Sequence, residues 1–107
     1  MIECTFQRED GMIKSLVVNG HSGYDDIGKD IVCAAVSTLT IAAINGLSEY
    51  VKLDFYYKVN EDGFAEFRIP EIYDEKQFTK AKAILETLYL GLKSVEEEYD
   101  RYVKVIG

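Results

Sequence analysis

The sequence predicts an α/β fold: a two-layer sandwich of a mixed sheet and two long helices, in the order β-β-α-β-β-α-β. Three observations lead there. Short segments alternate apolar and polar residues in pairs, as hairpins do. Two long segments free of proline carry helical patterning between and after those pairs. The length of 107 residues suits one domain, residues 1–107, with no linker or low-complexity stretch.

Taking the elements in order, Ile2, Cys4 and Phe6 alternate with Glu3, Thr5 and Gln7, so a first strand buries one face and Cys4 belongs to the core. A turn around Gly11 in "REDGM" joins it to a second strand, "MIKSLVVNG", and Ile2 to Asn19 reads as a hairpin. From Asp30 to about Val51 the chain reads as a helix, apolar nearly all round. In so small a domain such a helix needs cover from the sheet on one side and from a second helix or a partner subunit on another. Leu53, Phe55, Tyr57 and Val59 then share one strand face, as do Ala65, Phe67 and Ile69, with the turn "NEDG" between them and Pro70 closing the second strand. Asp74 with Gln77 resembles a capping box. Behind it Phe78, Ala81, Leu85, Leu88, Leu92, Val95 and Tyr99 form one helical stripe. The acids of "VEEEYD" read as a solvated helix end, and Arg101 to Ile106 as a final strand.

Composition narrows the function classes. Hydrophobic residues make up 48% and charged residues 29%, an ordinary globular balance. The net charge of −7, from 19 acidic against 12 basic residues, has the wrong sign for neutralising phosphates, and no Lys/Arg cluster stands out. Nucleic acid is therefore not an expected partner, and a basic protein suits the charge better. No apolar run reaches the ~20 residues of a bilayer span, and "MIECTFQRED" lacks a signal peptide's apolar stretch. A cytoplasmic protein without a membrane partner is expected. The two cysteines and one histidine are too few for a disulfide framework or a zinc site, so neither a metal nor another cofactor is expected.

The chemistry concentrates in "GHSGYDDIGKDIVCAAVS", Gly20 to Ser37. If Asp30 caps the helix, Cys33 lies in its first turn, where free N–H groups and the dipole favour thiolate over thiol. His21, at the end of the second strand, is placed to take the thiol proton and return it to a leaving amine. The helix-start N–H groups are candidates for an oxyanion hole. The plainer alternative stays open beside this one. Cysteine is among the most buried residue types, Cys33 sits between Val32 and Ala34, and His21 suits a polar turn. Asp30 is either a simple cap or an orienting group near His21, and Ser37 either a tolerated helix residue or a hydrogen-bond donor at the site. The intervening loop has Gly23 and Gly28 near its ends and Tyr24 as its large side chain, which fits a moving lid or an ordinary exposed loop. Asp25 and Asp26 lack partner ligands for a metal. Leu39 stands where a tyrosine phosphatase loop needs Arg, no second cysteine supports a disulfide oxidoreductase, and "GHSGYDDIG" is not a nucleotide loop.

In these residues the chain resembles the ribosomal-processing cysteine protease family (Prp, YsxB-like). The similarity rests on Gly20-His21, a variable loop, then "DIVCAAVS" at Asp30 to Ser37, with a softer match at "SVEEEYD", Ser94 to Asp100. It spans essentially the whole chain. The resemblance implies that Cys33 is the nucleophile and His21 the general base, with Gly20, Asp30 and Ser37 as supporting residues. Tyr24 and Ile27 would help cover a bound hydrophobic peptide. It implies a cysteine endopeptidase that removes the N-terminal extension of large-ribosomal-subunit protein twenty-seven, works as a homodimer, and orders its His-to-Cys loop around substrate. Two other functions remain open from the residues: a non-catalytic ribosomal-protein-binding or assembly adaptor with a buried Cys33, and a thiol-dependent hydrolase of a small molecule.

Overall fold

In a computed structural model, residues 1–25 and 30–107 are described. The elements are β1 (Ile2–Glu9), β2 (Met12–Asn19), α1 (Ile31–Asn45), β3 (Tyr56–Val59), β4 (Ala65–Arg68), α2 (Glu75–Glu98) and β5 (Val103–Ile106). The strands form one sheet in the order β3-β4-β2-β1-β5. β1 pairs antiparallel with β2 and parallel with β5, so the sheet is mixed, as the sequence predicts. α1 and α2 pack on each other over one face. That face carries Ile2, Cys4, Phe6, Leu16 and Phe67, all buried, while Glu3 and Gln7 point to solvent on the other.

Local chemistry sets the turns. Asp10 and Gly11 have φ of 53° and 80°, the two positive values of a type I′ hairpin, which the Asp-Gly pair adopts at little cost. At the second hairpin Asn60 Oδ1 accepts from the N–H groups of Asp62 and Phe64, and Gly63 takes φ 84°. Asp74 caps α2 by accepting from Gln77 N–H at 2.9 Å. Gln77 does not complete a capping box, because its side-chain amide instead donates to Val51 O at 3.1 Å and ties α2 to the end of the first helical segment.

Several expectations are corrected. All four residues of β3 are exposed, including Tyr57 and Val59, because β3 is an edge strand whose contacts are with β4. Phe78 is exposed and Tyr99 lies just past α2, so the buried stripe runs through Ala81, Leu85, Leu88 and Leu92. The acidic end of α2 is not merely solvated. Glu96 accepts from Val105 N–H at 2.6 Å and from Lys93 at 2.9 Å, fastening β5 to the helix. The first helix continues beyond α1 through a wide turn over Gly46–Tyr50, where Val51 N–H reaches back to Gly46 O. By length and composition Ile31–Tyr50 is able to cross a bilayer, contrary to the sequence expectation. Scattered Ser and Thr residues interrupt the apolar run without offsetting its mean hydropathy. Its inward residues Val32, Val36, Ile44 and Leu47 are buried in the core, as those of a core helix are.

Candidate active site

The end of β2 and the start of α1 meet at one carboxylate. Asp30 is the cap of α1, and its Oδ1 accepts from Val32 N–H at 3.0 Å and from Cys33 N–H at 2.9 Å. This is the ordinary bonding of an N-cap aspartate to the second and third helical residues. Its Oδ2 accepts from the Ser22 hydroxyl. Ser22 directly follows His21, is buried, and accepts from Tyr24 N–H at 3.0 Å. The backbone just after His21 is therefore fastened to the carboxylate that also holds the Cys33 amide.

Electrostatics follow from those bonds. Burial pushes the Asp30 carboxyl up, but the Ser22 hydroxyl, the Cys33 amide and thiol, and the Val32 amide outweigh it and hold the group below the usual carboxylate range. Cys33 is half-buried and its thiol is free of any disulfide. The adaptor alternative needed a buried Cys33 and loses that support.

The other sequence-predicted residues fall around this centre. His21 is exposed at the end of β2, its ring against the β3–β4 turn: a side-chain carbon on Gly63 would lie 3.8 Å from His21 Cε1 and Nδ1. Gly20 has φ 94°, and a side-chain carbon there would come within 2.4 Å of Met1 O. Only glycine fits, and the reason lies with the N-terminal strand pressed against it. Ser37, one turn beyond Cys33, is exposed and borders a crevice of about 20 Å³ shared with Ile41, Val59 and Gly63. Tyr24 packs edge-on against Tyr99 and Tyr102, with ring centroids 5.8 Å and 5.2 Å away. The late "SVEEEYD" segment thus reaches the loop between His21 and Cys33 through Tyr99. The expectations placed on Asp26, Ile27 and Gly28 lie outside the described residues.

Two features escape the sequence reading. Ser22 carries no signal in sequence, being a small polar residue in a glycine-bearing loop. The N–H groups offered as oxyanion donors are also engaged: those of Val32 and Cys33 bond Asp30 Oδ1, and that of Ala34 bonds Asp30 O at 3.1 Å. A capping aspartate fills the anion site that the bare helix end would otherwise present. Among the described residues, no group of three His, Cys, Asp or Glu side chains is placed to hold a metal ion.

Comparison with known proteins bears on the family and the fold. The chain is 29% identical over 107 residues to the ribosomal processing cysteine protease Prp of Bacillus subtilis (strain 168), covering 98% of this chain and 96% of that one. It is 25% identical over 101 residues to the protein of the same name from Staphylococcus aureus (strain Mu50 / ATCC 700699), covering 91% and 89%. Among solved structures, SMU.848 from Streptococcus mutans aligns with a TM-score of 0.79 and 29% identity, covering 99% and 92%. The essential ribosomal processing protease Prp from S. aureus, in complex with a covalently linked product peptide, aligns with a TM-score of 0.88 and 23% identity, covering 99% and 98%; at that identity it speaks to the fold. The family described as "Cysteine protease Prp" matches residues 1–104, and the chain belongs to that family of cysteine-type peptidases.

Proposed function

We propose that residues 1–107 form one cysteine endopeptidase domain that trims the N-terminal extension of a large-subunit ribosomal protein, the counterpart of protein twenty-seven. Cys33 serves as nucleophile and His21 as general base. The observation that carries this reading is the free, half-buried Cys33 at the helix start, joined through Asp30 and Ser22 to the strand end bearing His21. In the reaction His21 takes the Cys33 proton, the thiolate sulfur attacks the scissile carbonyl carbon, and the C–N bond breaks as His21 returns that proton to the leaving amine. Water then hydrolyses the thioester and frees the thiol. Asp30 and Ser37 support the site, and Tyr24 helps form the cover over a bound peptide. A net charge of −7 favours encounter with a basic ribosomal protein. A cytoplasmic location fits such a substrate and two free cysteines.

The test is incubation with full-length and pre-truncated ribosomal protein, with products read by mass. One cut in the full-length protein and none in the truncated one is expected. Turnover of small esters without peptide cleavage would mean a different hydrolase.

We also propose that the chain works as a homodimer through its outer helical face. A groove of about 330 Å³ between α1 and α2 is lined mainly by Leu39, Ala42, Ala83 and Ile84. Ala83→Glu places a charge in that groove and is expected to give a monomer by light scattering. A dimer unchanged by Ala83→Glu would place the interface elsewhere.

A further inference from the structure

We infer that Ser22 is a positioning residue of the site: its hydroxyl couples the backbone after His21 to the Asp30 carboxylate, which also holds the Cys33 amide, and so sets the approach of the histidine to the cysteine. The inference rests on the proposed His21–Cys33 pair. Ser22 is 4% exposed although it lies between exposed neighbours, His21 and Gly23. A buried hydroxyl needs partners, and this one has two. It donates to Asp30 Oδ2 and accepts from Tyr24 N–H. Alanine would leave both partners short of a bond.

The consequence for the cysteine follows from the other side of the carboxylate. The hydroxyl of Ser22 bonds Oδ2 while the amides of Val32 and Cys33 bond Oδ1, so one carboxylate spans the segment after His21 and the first turn of α1. Ser22 therefore holds the two halves of the site in one register. Tyr24 extends the arrangement outward, because its amide completes Ser22 while its ring rests on Tyr99 and Tyr102.

The experiment compares wild type, Ser22→Ala, Ser22→Thr, Asp30→Asn, the double variant Ser22→Ala/Asp30→Asn, and Cys33→Ala. Peptide cleavage, iodoacetamide alkylation of Cys33 at pH 7 and thermal melting are measured on each. For Ser22→Ala, kcat is expected to fall about ten- to a hundredfold with KM within about twofold, since misplacement of a catalytic group acts on turnover. Alkylation slows in parallel, and the melting point is too little changed to account for it. Ser22→Thr, which keeps the hydroxyl, recovers most of both rates. The double variant is no worse than Asp30→Asn, because Ser22 acts through Asp30. Wild-type rates in Ser22→Ala, or losses that multiply in the double variant, overturn the role of Ser22. Cleavage surviving in Cys33→Ala overturns instead the pair on which it rests. Alkylation reads the thiol directly, whatever peptide is chosen.

Discussion

Cys4 and Cys33 are the chain's two cysteines, both free, and they have opposite surroundings. Cys4 points from β1 into the core with no exposed surface. Its thiol is pushed up to about 12, first by burial and then by the nearby Glu96 carboxylate. Cys33 lies in the first turn of α1, half-buried, beside a carboxylate whose charge is shared among a hydroxyl and two amides. Burial without a partner keeps a thiol protonated and inert, whereas partial exposure at an ordered polar junction leaves it open to chemistry. What separates the two cysteines is the set of neighbours that can take up or share charge.

The largest effect comes from removing each cysteine in turn. Cys33→Ala is expected to lower cleavage by at least about four orders of magnitude, as loss of a nucleophile does, and to abolish native iodoacetamide labelling. Cys4→Ala should keep both, measured per folded molecule. Labelling of native Cys4, or cleavage that depends on Cys4, would reverse the contrast.

A smaller effect concerns stability. Cys4→Ser replaces a buried thiol by a hydroxyl in an apolar setting, and a buried hydroxyl without a partner costs about 1–3 kcal/mol. Cys33→Ser, at a half-buried position, should unfold in urea close to wild type. Equal midpoints for the two serine variants would mean that a polar group is accommodated near Cys4.

Much of this contrast is legible in sequence. The alternation of Ile2, Cys4 and Phe6 assigns Cys4 to the core, and the spacing from Asp30 to Cys33 puts a cysteine in the first helical turn. Both follow from local periodicity and capping, which sequence carries directly. Strand placement does not have that character. Tyr57 and Val59 alternate like buried residues, but the sheet order puts β3 at an edge, where alternation buries nothing. Capping shows the same limit. Asp30 and Asp74 both cap helices through the N–H three residues on, yet only Asp30 has its second oxygen engaged by a hydroxyl from another element. The Ser22–Asp30 bond depends on how the end of β2 meets α1, and no spacing rule in the chain predicts it.

The smallest effect isolates the second cause of Cys4's inertness. Glu96 sits near Cys4 and is held below the usual carboxylate range, first by Val105 N–H and then by Lys93. A carboxylate whose folded pKa is depressed adds stability that is present above its unfolded value of about 4.3 and disappears as pH falls through the folded value. Glu96→Gln keeps an oxygen that can accept from Val105 N–H but lacks the charge. The stability gap between wild type and Glu96→Gln is therefore expected at neutral pH and should close during acid titration below about pH 4. Labelling gives the second readout. Burial is the larger cause at Cys4, so neutralising Glu96 should leave native Cys4 unlabelled while Cys33 still reacts. If Cys4 in Glu96→Gln became as reactive as Cys33, charge rather than burial would be what keeps it inert.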